Sequence, residues 1–203
     1  MNLDSEISRL LDLMPASGRM LTRIVSKPQQ TKVIDFTFPL PWQRGTRYIY
    51  INFDLLRRLS RPQRDLILLR AVSVLINVQW FKPNIYQGIT VAALVGLTVE
   101  LIQTDAVGIV IAGGLTTLAV NQIWRNNRSV QRELDADEAA IKVALRRGYS
   151  ETEAALQLLS GIEAVAQLEG RSSLSFSELI RCQNLKAIAN ISPIGVPDSV
   201  KQE

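Results

Sequence analysis

The chain has 203 residues and not one of them is histidine. That removes the commonest metal ligand and the commonest general acid–base group at neutral pH. Neither a histidine triad nor a histidine-bound zinc site can be built from this chain alone. Cysteine is nearly as scarce. Cys182 stands alone, so an intrachain disulfide is excluded and a reducing compartment fits. With no histidine to activate it, Cys182 reads as a structural residue. Charge of one sign is also in short supply: 23 basic residues face 19 acidic ones, a net +4. The basic residues are dispersed, without the basic patch and interleaved aromatics of a nucleic-acid surface, so no nucleic-acid partner is expected. The opening MNLDSEISRLLDLM carries acids where a signal peptide carries positive charge, and no cleavable signal is read there.

What the chain does have is two long apolar runs, residues 85–102 and 106–124, separated by Gln103-Thr104-Asp105. At 1.5 Å rise per residue, each spans roughly 27–29 Å, about one hydrocarbon core. The pattern predicts a transmembrane helical hairpin. Gly88, Ala92 and Gly96 recur every fourth residue in the first run, as do Gly108, Ala112 and Thr116 in the second. Small residues on one face let two helices approach closely. Lys82 precedes the pair, and Arg125, Arg128 and Arg132 follow it. Positive charge on that side puts both termini in the cytoplasm. Trp80, Tyr86 and Trp124 fit an aromatic belt, and Glu100 lies near the outer end, within reach of headgroups or water. The expected partners are membrane lipid and a membrane protein.

Around the hairpin the chain reads as α+β, mainly helical. A short amphipathic helix covers residues 3–14. Residues 32–39 and 47–53 alternate as two strands of a β-hairpin. Ser60 and Gln63 form a capping box opening a nearly all-apolar helix to about Trp80, a buried central helix carrying Arg70 and Ser73. An amphipathic helix over 126–147 ends at Gly148. Capping boxes at Ser150 and Ser175 open two more, to about Glu169 and Ala189. The expected organisation is residues 1–83 and 125–190 as two parts of one cytoplasmic domain, 84–124 as the hairpin, and 191–203 as an irregular tail.

The most distinctive local pattern is RELDADEAA over 132–140, with Glu133 and Asp137 one helical turn apart. Taken in order, a β-hairpin, YINFDLLRRLSRPQRDLILLRAVSVL, the apolar pair, RELDADEAA and GYSETEAALQLL resemble the HtpX-like and CAAX-prenyl-protease family of membrane zinc metallopeptidases, of gluzincin fold. The resemblance covers roughly residues 30–160. In that family a helical H-E-x-x-H supplies two zinc ligands and the general base, and a later acidic helix supplies the third ligand. It implies that Leu69 and Ser73 stand at the histidine positions, Arg70 at the catalytic glutamate, Glu133 at the third ligand and Asp137 behind it. Two of three ligands and the base are absent, so no metal or other cofactor is expected, and the resemblance implies a peptidase scaffold without its chemistry. Residues 5–20, SEISRLLDLMPASGRM, also resemble an uncharacterised family of small cyanobacterial membrane proteins, which implies a thylakoid or plasma membrane.

A carboxylate left beside an apolar helix is costly without an opposite charge. The expectation is therefore an ion pair from Arg70 to Glu133 or Asp137. The function read from the sequence is a non-catalytic, membrane-anchored binding or scaffold protein, active in the assembly or turnover of membrane complexes. Its candidate peptide-binding edge is the strand at 47–53. The alternative is a hydrolase with an oxygen-ligated metal held by Glu133, Asp135, Asp137 and Glu138.

Overall fold

The computed structural model describes residues 3–37, 45–76, 114 and 130–192. All the elements below belong to one compact unit formed by residues 1–78 and 130–203. Helix α1 (Leu3–Leu13) and the short α2 (Ala16–Leu21) lead into strand β1 (Thr22–Ser26). Strands β2 (Ile34–Phe36) and β3 (Arg47–Ile51) follow, then a single turn α3 (Phe53–Leu56) and the long α4 (Arg61–Ile76). The C-terminal half supplies α5 (Val130–Leu145), α6 (Glu151–Leu168) and α7 (Phe176–Ile188). The described residues are α+β, mainly helical, with a small three-stranded sheet.

The expected antiparallel hairpin is there, with Ile34 opposite Ile51 and Phe36 opposite Ile49. A strand the pattern did not announce joins it: β1 runs parallel to β3, Thr22 beside Arg47 and Ser26 beside Ile51. The order is β1-β3-β2. That corrects the reading of residues 47–53 as an edge. β3 is the central strand, and both of its ladders are occupied, so it has no free edge for a peptide.

Helix α4 explains its own composition. Leu68, Val72 and Leu75 fall on one face at i, i+4, i+7 and pack with Ile49, Ile51, Leu10 and Met14 under the sheet. Leu66 and Leu69 fall on the other and pack with Ala140, Ala144, Leu158 and Leu185 of the C-terminal helices. A helix buried on two sides has to be apolar on two sides. Ser60 and Gln63 cap it reciprocally. Ser150 caps α6, and Ser175 with Glu178 forms a full capping box on α7. Gly148 closes α5 at φ +94°, a conformation that favours glycine.

Two glycines set helix spacing. A Cβ on Gly18 would come within 2.8 Å of Val72, and one on Gly161 within 3.0 Å of Ile67. Both hold a helix close against α4.

The expected placement as a two-span integral membrane protein is overturned. Among the described residues no helix is long and apolar enough to cross a membrane. Helix α4 is an example: its apolar residues are consumed by protein contacts on two faces, while Arg61, Gln63, Arg64, Asp65 and Arg70 interrupt it. The runs at 85–102 and 106–124 lie outside the described residues. So do Gly88, Ala92, Gly96, Glu100, Gly108, Ala112 and Thr116, and the tail beyond residue 192.

Candidate functional site

A cleft of about 330 Å³ opens between β2 and the helices packed behind it. Helices α4, α6 and α7 contribute to it. From α6 come Leu158, Ile162, Val165 and Glu169, at steps of four, three and four residues; from α4 come Ile67, Arg70 and Ala71. Helix α7 adds Glu178 and Arg181, one turn apart, and the α6–α7 loop adds Arg171. The strand side is Lys32, Val33, Ile34 and Phe36. The cleft therefore combines an apolar lining with a set of charged groups.

Those charged groups form a chain of contacts. Glu169 accepts from the Val33 backbone N–H at 2.9 Å and from Arg171 Nε at 3.1 Å. Arg171 then reaches Glu178 with both terminal nitrogens, at 2.7 and 2.9 Å. Burial alone would raise the Glu178 carboxyl, but the hydrogen bonds from Arg171 and Ser175 outweigh it and hold it down at about 2. One turn on, Arg181 presents Nε and Nη2 to the two oxygens of Asp137, at 2.8 and 2.9 Å. This side-on, two-bond geometry is the strongest an arginine and a carboxylate can make. Asp137 is fully buried and Arg181 almost so.

Arg70 completes the chain. Its Nη2 donates to Glu133, and its Nε lies 3.3 Å from Asp137. That Nε is shut off from water and makes no hydrogen bond. Burial pushes the Arg70 guanidinium down to about 10, and the like charge of Arg181 adds to it against the opposing pull of Asp137. Arg70 thus bridges two carboxylates of α5, Glu133 and Asp137.

Of the positions singled out in the sequence, Arg70, Glu133 and Asp137 come together. Leu69 is instead part of the helical core, and Ser73 is buried on α4. Asp135 points to the surface and accepts from Gln131; Glu138 is exposed beside Lys142. Four acids on one helix thus diverge, and among the described residues no group of three or more His, Cys, Asp or Glu could hold a metal ion. Cys182 is a free, buried thiol raised by burial. Sequence reasoning missed Arg181, the main partner of Asp137. Its one signal was an arginine three residues after Glu178 in an amphipathic helix, which reads equally as a solvated position.

The comparisons with known proteins remove the metallopeptidase resemblance. No curated protein and no solved structure matches the chain. The order of elements that carried the resemblance is not specific to those enzymes. The carboxylate placed at the third zinc ligand, Glu133, meets an arginine, and Asp137 meets another. What does match, over residues 8–149, is the family described as Protein of unknown function (DUF3318), and the chain belongs to it.

Proposed function

We propose that this is a non-catalytic binding protein that acts through the cleft beside β2. The observation that carries the reading is the pairing inside the cleft. Its carboxylates, Glu169 and Glu178, are each held by Arg171, and Arg181 is spent on Asp137. A general acid or base needs a proton it can exchange near the working pH. Glu178, held at about 2, is a fixed acceptor and not a proton shuttle. Such groups orient a bound molecule. The apolar lining of Val33, Ile34, Ile67, Leu158, Ile162 and Val165 supplies the affinity by burial. A role in membrane-complex assembly is not part of this reading, because it rested on the two spans.

Benzyl alcohol, a neutral apolar probe, tests the cleft itself. Titration followed by backbone amide chemical shifts should move Val33, Ile34, Ile162 and Val165 together, with saturation at millimolar probe. Val165→Phe, which fills the cavity, should abolish those shifts while the protein stays folded by circular dichroism. Shifts absent or scattered over the surface would refute the reading.

A further inference from the structure

Among the described residues the sheet ends at β2. One side of that strand pairs with β3, and the order β1-β3-β2 makes its other side an edge. Two bonds fix which backbone groups point outward there. The Ile51 carbonyl turns toward β1 and accepts from the Lys27 N–H at 2.9 Å; the Asn52 N–H turns toward β2 and donates to the Val33 carbonyl at 3.0 Å. Backbone groups alternate in direction along a strand, so Tyr50 faces its partner Asp35 on β2. Ile34, one residue before Asp35, therefore points its N–H and C=O away from β3. Among the described residues neither group has a hydrogen-bond partner. Glu169 accepts the Val33 N–H at the start of the strand, so the open edge begins at Ile34.

That edge borders the cleft. Ile34 and Phe36 stand opposite Ile51 and Ile49, which puts their side chains on the inner face of the sheet. They line the cavity with Ile67 of α4 and Val165 of α6, and all four are only half-buried. The four pack against the same core, so the helical layer carries an apolar strip beside β2 that the sheet leaves open.

The chemistry of the opening names its occupant. The charged groups are matched among themselves: Arg171 with Glu169 and Glu178, Arg181 with Asp137, Lys32 with Asp35. The charge complement of the cleft is therefore an uncharged ligand. What remains is one donor and one acceptor, both from Ile34 and on the same side, next to apolar surface. A residue of an extended peptide offers the matching acceptor and donor on one side, with its side chain perpendicular to them.

We propose that the cleft receives an extended peptide segment as a fourth strand on β2. It pairs antiparallel, so that one peptide residue exchanges both backbone hydrogen bonds with Ile34 and lays an apolar side chain against Ile67 and Val165. Backbone bonds give the pairing and the apolar strip selects the side chain. The inference rests on the cleft being a binding site and names what it binds.

The probe is the capped peptide acetyl-KVTLTVK-amide, titrated into the full chain and followed by backbone amide shifts. Its central leucine is the residue for Ile34, and its lysines keep it in solution. It should shift the Ile34 amide together with Val33 and Val165, and saturate. Methylating the leucine nitrogen removes the N–H that faces the Ile34 carbonyl and should weaken binding at least tenfold. Methylating the nitrogen of the next threonine, which points away from β2, should weaken it less than threefold. Ile34→Pro removes the outward N–H at an edge position where proline is tolerated. It should weaken the peptide at least tenfold while circular dichroism stays unchanged. If that variant fails to fold, the two methylated peptides decide. Equal losses with both methylated peptides, or no peptide binding, would overturn the proposal. If benzyl alcohol still binds in that case, the cleft stands and strand addition alone falls; if neither binds, both fall.

Discussion

Two charged clusters cross this fold, and they are buried to different degrees. The first ties α1 to α4. Glu6 accepts from Arg9 on both oxygens and from Arg64, and Asp65 accepts from Arg9 at 2.6 Å and from Tyr149 at 2.9 Å. Every carboxylate oxygen there has a donor, and Glu6 and Asp65 are both buried. The second cluster runs from the cleft into α5: Arg181 closes both oxygens of Asp137, and Arg70 bridges Asp137 and the part-exposed Glu133. A fully buried pair fixes elements in place, whereas a part-exposed one such as Arg70–Glu133 is screened by water and holds less. The contrast separates a closed staple from a looser contact.

The sharpest way to break that contrast is at Asp137. It is fully buried and faces two arginines. Asp137→Asn keeps the shape and removes the charge, leaving Arg181 and Arg70 to repel each other in the interior. Loss of one partner from a buried ion pair costs about 3–5 kcal/mol. Urea denaturation should show a loss of that size, larger than for any other charged substitution in the cleft. A loss below about 1 kcal/mol would mean that water reaches the arginines, against the burial described here.

The first cluster is tested at Tyr149. Its hydroxyl closes the last oxygen of Asp65, and removing it as Tyr149→Phe should cost about 1–3 kcal/mol, the usual value for leaving a buried acceptor unpaired. The same variant changes the alkaline behaviour. Burial, with Asp65 beside it, raises the phenol from 10.0 to about 12. The folded state therefore keeps a proton that the unfolded chain gives up above pH 10. The stability from this group is intact below pH 10 and is lost as pH rises through about 12. Tyr149→Phe should flatten that arm of the stability–pH curve. At the acid end Glu6 works in the other direction. The hydrogen bond from Arg9 holds its carboxyl below 4.5, so its contribution is present above pH 4.5 and fades as pH falls further. Glu6→Gln should reduce the acid sensitivity of α1, read by amide exchange at Leu10.

How much of this was legible in the chain depends on range. The caps at Ser60, Ser150 and Ser175 are local signals and each sits where the pattern placed it, although at Ser150 the serine side chain caps the helix without the reciprocal half of the box. The antiparallel pairing of β2 with β3 is carried by alternation and was legible. Strand β1 was not, because TRIVS is five residues long and its parallel partner lies more than twenty residues away. Missing it turned a central strand into an apparent edge. At the site, an arginine in an apolar helix and two acids one turn apart pointed to charges that must be neutralised. The structure brings Arg70, Glu133 and Asp137 together. The family likeness used to align them was misleading, since order of elements is shared by unrelated chains. Arg181 was illegible because its partner is 44 residues distant and its burial depends on how α5 and α7 pack.

Glu133 is the finest test of the contrast, because there the expected effect on stability is the smallest. If it were a staple like Glu6, Glu133→Gln would leave Arg70 short of its anion and cost a few kcal/mol. Its exposure argues otherwise: a partly solvated pair is screened and worth about 0–1 kcal/mol. Asp137 remains 3.3 Å from Arg70 to hold the charge. Urea denaturation of Glu133→Gln should therefore differ from the parent by less than about 1 kcal/mol. A small stability effect at Glu133 beside a large one at the buried carboxylates is what divides the two clusters. A stability loss at Glu133 as large as that at Asp137 would make the cleft network one more staple.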